Sequence, residues 1–144
     1  MNLALIITAI VIGDFIIFSS IIAICMKKMW EPIAKSHPAQ RPAADAVTKN
    51  FQSYRIDLLN LGFCIHTTVD EQYLHLAPVK FLQKLGARPT SIAWNYITEV
   101  KPSLIGKTMS ARIGNRKIIG PAWCLELALQ DEEVLQRPQD DPKG

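Results

Sequence analysis

The sequence predicts one N-terminal transmembrane α-helix followed by a small, mainly-β cytoplasmic domain closed by a C-terminal α-helix. Three observations predict it. From Leu3 to Met26 the only charge is Asp14, and at about 1.5 Å per residue such a helix is roughly 36 Å long, enough for a hydrocarbon core of about 30 Å. From Phe51 onward apolar residues recur at every second position, the period of a strand buried on one face. After Pro121 the segment Ala122–Arg137 runs without a breaker to Pro138, with Trp123, Leu127 and Val134 near one face.

The chain has 144 residues, 49% of them apolar and 20% charged, which suits one compact domain. With the apolar helix set aside, too little remains for a two-domain enzyme. Three cysteines, Cys25, Cys64 and Cys124, stand far apart, which excludes a disulfide scaffold. The expected division is 1–28 as transmembrane anchor, 29–50 as a Pro-rich surface linker, 51–137 as the β domain with its helix, and 138–144 as a mobile tail.

The first segment reads as a retained anchor rather than a cleaved signal. A signal has basic residues before a short apolar core and small residues at the cut, whereas here only Met1 and Asn2 precede the core and nothing near its end reads Ala-x-Ala. Lys27, Lys28, Lys35 and Arg41 all follow the span, so the positive-inside rule places the N-terminus outside and the domain in the cytoplasm, at the inner membrane. Lys27, Lys28 and Trp30 are expected at the lipid–water interface. A cytoplasmic domain keeps Cys64 and Cys124 reduced, as small core residues. Within the span, Ala9, Gly13, Ser20 and Ala23, with Ile16 between, form a narrow stripe where another helix can approach closely. Asp14 lies about 100° from Gly13 around the helix. A carboxyl group near mid-bilayer costs a few kcal/mol and normally faces protein, a polar partner or water; a protonated acid facing lipid is the alternative.

Pro32, Pro38 and Pro42 mark the linker. Tyr54, Ile56 and Leu58 then alternate with Arg55 and Asp57, and Asn60-Leu61-Gly62 reads as a turn. Phe63, Ile65, Thr67 and Val69 alternate with Cys64, His66 and Thr68. Pairing this run with Gln72–Ala77 around Asp70-Glu71 sets Ile65 opposite Leu76 and His66 opposite His75. Val79–Leu85 reads as one or two helical turns closed by Gly86, or as loop. Ser91–Ile97 reads as a strand that can turn after Trp94. Lys107–Ile113 and Arg116–Ile119 flank Gly114-Asn115, a two-residue loop suited to a tight hairpin. Pro121 is placed at the first position of the last helix, where its missing N–H costs nothing. Leu125, Ala128, Leu129 and Leu135 widen that helix's apolar face, and Asp131, Glu132 and Glu133 mark the outer one.

No Gly-x-Ser-x-Gly, P-loop or dinucleotide fingerprint is present, and the carboxylates are scattered rather than paired for acid–base work. No catalytic residue, metal or cofactor is therefore expected. Cys64, His66 and His75 form the nearest approach to a metal-ligand set, without Cys-x-x-Cys or His-x-x-x-His spacing. Charge is polarised. From Lys27 to Gly120 fourteen Lys and Arg meet six Asp and Glu; from Pro121 onward two meet six. A basic body on a cytoplasmic membrane face is attracted to anionic lipid head groups. Nucleic acid is not expected, since there is neither a basic helix nor an interleaved aromatic platform.

The runs Trp30-x-x-Ile-Ala-x-x-His-Pro, Leu61-Gly-Phe-Cys-Ile and Ser91-Ile-Ala-Trp-Asn-Tyr-Ile97 together resemble small bacterial single-pass membrane-anchored proteins with a pleckstrin-homology (PH-like) domain and no assigned function. The resemblance covers about residues 30–125. It implies a small antiparallel half-barrel or sandwich with the last helix plugging one end. In place of the paired-basic motif of lipid-binding members, Arg112, Arg116 and Lys117 flank a hairpin and stand as the candidate lipid- or partner-binding residues. The leading expectation is a non-catalytic accessory subunit, docked through its helix onto other transmembrane subunits of a membrane complex and bracing the cytoplasmic face. A tethered PH-like lipid- or peptide-binding module and a small metal-binding protein are the alternatives.

Overall fold

The computed structural model describes residues 2–104 and 106–136, with side chains described up to residue 130. The N-terminal helix α1 (Leu3–Cys25) is capped by the Asn2 side chain and continues through a π-helical turn (Met26–Trp30) into α2 (Glu31–Ser36). The whole rod, Leu3–Ser36, is long and apolar enough to cross a membrane. Seven strands follow: β1 (Val47–Ile56), β2 (Leu59–Val69), β3 (Tyr73–Pro78), β4 (Thr90–Ala93), β5 (Ile97–Pro102), β6 (Thr108–Ile113) and β7 (Arg116–Pro121). A short helix α3 (Lys80–Lys84) joins β3 to β4, a 3-10 turn (Trp94–Tyr96) joins β4 to β5, and α4 (Ala122–Gln136) ends the fold. The strands make one curled antiparallel half-barrel in the order β4-β3-β2-β1-β7-β6-β5, and α4 packs against β5, β6, β7 and the 3-10 turn.

The boundary between anchor and domain differs from the expectation. Residues 29–36 are helix rather than linker, and the irregular segment shortens to 37–46. Pro32, in the first turn of α2 directly after the π-helical turn, does not break the rod: the carbonyl that loses its N–H, that of Lys28, finds another donor. Met26, Trp30, Ile33 and Ala34 are buried in the domain's core. Trp30, expected at the lipid–water interface, is instead fully buried and donates its indole N–H to the Arg88 carbonyl at 2.7 Å.

Three further corrections concern the sheet. The first turn sits at Asp57-Leu58, not at 60–62: Ile56 pairs with Leu59, Asp57 takes a positive φ of 49°, and Leu58 leaves the inward stripe to stand 81% exposed. Between β2 and β3 the register is two residues further along than expected. Ile65 faces Pro78, Thr67 faces Leu76, and Thr68 rather than His66 faces His75. A shift of two preserves the faces, so Ile65, Thr67, Val69, Leu74 and Leu76 are all buried. Over 91–97 the chain does turn, as the sequence allowed, but at Trp94 rather than after it: the 3-10 turn Trp94–Tyr96 divides the segment into β4 and β5, and β5 pairs with β6. The tight hairpin forms as expected, Ile113 facing Arg116 around Gly114 at φ 59°. In α4, which starts at Ala122 with Pro121 ending β7, Cys124, Leu125 and Ala128 are buried while Trp123, Leu127 and Leu129 are half-buried. The segment 138–144, expected to be a mobile tail, lies outside the described residues, as do the side chains of Asp131, Glu132, Glu133, Val134 and Leu135.

Irregularities in β1 and β2 bend the sheet. Phe51 (φ 55°) and Phe63 (φ 56°) sit where the pairing slips between Lys49 and Tyr54, and both side chains are exposed. Bulges of this kind increase local twist and let one long strand pass from one half of a barrel to the other. Each of the three tryptophans ties two elements together through its N–H: Trp30 to the loop before β4, Trp94 to the Asp70 carbonyl, and Trp123 to the Gln52 side chain. Buried Tyr54 lies at the centre, with its hydroxyl 2.9 Å from Thr67 Oγ1 and 3.3 Å from Cys124 Sγ. A Cβ at Gly120 would come within 2.5 Å of its ring. That ring is buried and held through its hydroxyl by two partners, so Gly120→Ala is expected to destabilise the fold by about 1–3 kcal/mol, measured by urea denaturation; an unchanged midpoint would show that Tyr54 has room to move.

Candidate functional site

Two polar constellations hold the domain together, and the first lies where the rod enters it. Pro32 has no N–H to offer the Lys28 carbonyl one turn earlier, and Arg116 takes that place, its Nη2 donating to Lys28 O at 2.9 Å. Its Nη1 donates to Asp57 Oδ2, also at 2.9 Å, and Asp57 Oδ1 accepts from the Lys117 amide. One guanidinium therefore joins the β6–β7 hairpin, the β1–β2 turn and the rod. Arg116 holds the Asp57 carboxyl below its ordinary pKa by hydrogen bonding, against the opposing effect of burial. Around this junction Lys28, Arg55 and Lys117 are exposed. A notch of about 260 Å³ opens between the rod and the loop after α3, lined by Ala23, Lys27, Glu31, Leu85, Gly86 and Arg88.

The second constellation is an Asp–His–Ser chain. His75 Nε2 is 2.8 Å from Asp70 Oδ2, and its Nδ1 is 2.7 Å from Ser91 Oγ. Ser91 Oγ also accepts from the Gln40 amide at 2.7 Å, and Ser91 is only 4% exposed. In the neutral ring this directs the hydroxyl proton to Nδ1 and leaves Nε2–H to donate to the carboxylate. Asp70 further accepts from the amides of Ala43, Gln72 and Tyr73. Thr90 Oγ1 donates to His37 O, which also receives the Ser91 amide. The arrangement is a clamp, fastening the 37–43 segment along the β4 edge, with its serine oxygen already occupied. Burial works to raise the Asp70 pKa, but the bonds from His75 and the three amides outweigh it and bring it down to about 2.

The residues expected to matter are dispersed. Ala9, Asp14 and Ser20 are exposed along α1, with Gly13 and Ala23 half-covered; Ser20 returns its hydroxyl to the Ile16 carbonyl. Arg112 is divided between the Asn115 carbonyl (3.2 Å) and Glu99 (3.6 Å), Arg116 is spent on the junction, and Lys117 projects outward. Cys64, His66 and His75 do not converge. Cys64 Sγ is 3.0 Å from the Gly62 carbonyl, the His66 ring packs edge-on to Phe51 at 4.8 Å, and His75 is clamped. Among the described residues no three His, Cys, Asp or Glu side chains group as metal ligands do. Asp57, Asp70, Arg88 and Ser91 were not singled out from the sequence; an Asp in each of two turns was the available signal, but their partners are remote in the chain. The chain matches no family model, no curated protein and no solved structure.

Two outcomes follow from these contacts. A carboxyl with a depressed folded pKa stabilises above its unfolded value, and that contribution disappears as pH falls through the folded one. Asp70 is thus expected to contribute about 2 kcal/mol at neutral pH, lost between about pH 4 and pH 2; Asp70→Asn should flatten that limb of the stability–pH curve. Arg116→Met should cost about 1–2 kcal/mol and move the Asp57 carboxyl pKa upward in an NMR titration. An unmoved Asp57 would show that the pair is not closed in solution.

Proposed function

We propose that this chain is a non-catalytic, single-pass membrane protein that serves as an accessory subunit of a larger membrane complex, its β domain held on the cytoplasmic face. The observation that carries the reading is the unbroken passage of the rod into the core. Met26, Trp30, Ile33 and Ala34 are at once the end of a membrane-length helix and part of the domain's interior. A module that searches for ligands works well on a loose tether, whereas a part fitted into an assembly needs a fixed attitude to the bilayer. The same continuity supports retention of the helix over removal as a signal, because the residues that follow the apolar run are needed inside the fold. Asp14, exposed and the only charged residue between Leu3 and Met26, supports a lateral protein neighbour within the membrane.

The seven-stranded half-barrel with a helix packed at its end supports the PH-like kinship, and the exposed cations around the junction favour the second reading, a tethered module that recognises anionic head groups. Asp14→Leu separates the two. Mild-detergent extraction followed by mass spectrometry is expected to show wild-type chain with transmembrane partners and the variant without them. Unchanged partners, or none with either protein, would remove the subunit reading.

A further inference from the structure

We infer that the notch between the rod and the loop after α3 is a seat for the head group of one anionic phospholipid, with its phosphate between Lys27 and Arg88 and its acyl chains lying along α1. The inference rests on the membrane-anchored reading above and names a partner for it.

The notch has the polarity such a ligand requires. Ala23 belongs to the last turns of the apolar helix and Lys27 is the first cation after it, so the opening spans the level at which acyl chains give way to head groups. Leu85 and Ala23 give it an apolar wall, Lys27 and Arg88 a cationic one. Glu31, the acid in the lining, is engaged by Lys35 at 3.1 Å. Two cations and one internally paired acid leave a surplus of positive charge.

The walls are built rather than loose. The Arg88 backbone is fixed by the bond from the Trp30 indole to its carbonyl, and Ala87 beside it is fully buried. Gly86 supplies the positive φ of 101° that returns the chain after α3, aided by the Ala87 amide bonded to Leu82 O. The Arg88 side chain, by contrast, is exposed and carries none of these contacts, so it can be changed without disturbing the fold. At about 260 Å³ the notch falls below the roughly 300 Å³ at which clefts for whole small molecules begin, and suits a head group whose chains remain outside.

The test uses the full chain reconstituted in vesicles of phosphatidylcholine, alone or mixed equally with phosphatidylglycerol, and counts lipids retained by native mass spectrometry after gentle release. The wild type is expected to retain one phosphatidylglycerol. Lys27→Gln and Arg88→Gln should each weaken retention roughly fivefold, and together about thirtyfold. Lys101→Gln, exposed in β5 at the other edge of the sheet, should leave it unchanged; a loss equal to that of the notch variants would mean a diffuse surface attraction and overturn the seat. Inorganic phosphate is expected not to displace the lipid, and displacement would mean a free-anion site instead. Alkaline carbonate washing keeps the two levels distinguishable. Wild-type chain that washes off removes the anchored reading itself, whereas chain that stays but retains no phosphatidylglycerol removes only the seat.

Discussion

The burial of Trp30 is the contact on which the architecture depends. A large aromatic side chain at zero exposure contributes several kcal/mol of apolar burial, and this one comes from the rod rather than from the sheet it fills. Met26, Ile33 and Ala34 extend the same face. The β domain is therefore incomplete without the final turns of the helix, and the two fold as one body. The polar junction follows from that placement: a proline one turn on withholds its N–H from Lys28, and the Arg116 guanidinium brings two hairpins to the vacated carbonyl.

The opposite end of the domain is secured differently. There Asp70 gathers four donors on its carboxylate and a fifth, the Trp94 indole, on its carbonyl. Because every donor is satisfied by a full or partial negative charge at short range, this cluster can be buried at little cost. It fixes the 37–43 segment against β4, covering a sheet edge that would otherwise present unpaired backbone groups. The domain is thus pinned by carboxylates at two turns, Asp57 beside the rod and Asp70 far along the strands from it.

What could be read from the chain was what local pattern encodes. The apolar rod, the alternation in β1 and β2, the Gly114-Asn115 hairpin and the last helix all announce themselves within a dozen residues. What could not be read depended on partners distant in sequence. The turn at Asp57 is fixed by Arg116 and Lys117, about sixty positions away, so local composition pointed to Gly62 instead. The β2–β3 register is set by the three-residue connection that Asp70 closes on itself, which alternation alone leaves free to slide by two. Pro32 read as a breaker because its place within a helix's first turn is invisible until the helix is known. Trp30 was ambiguous in kind: an indole suits a lipid–water boundary and a core equally well, provided its N–H finds an acceptor. The notch was out of reach for the same reason, since Lys27 and Arg88 meet only through the fold.

The wide turn at Met26–Trp30 has a consequence for how the chain tolerates change in length. In a regular helix each residue advances the azimuth by about 100°, so an insertion or deletion in α1 would swing its exposed apolar surface around relative to the half-barrel. A π-helical turn holds a surplus residue while keeping the flanking helices nearly in phase. Removing one residue there can relax the turn to ordinary pitch with both flanks still pointing where they did. At that one place along the rod, contour length is uncoupled from rotational alignment.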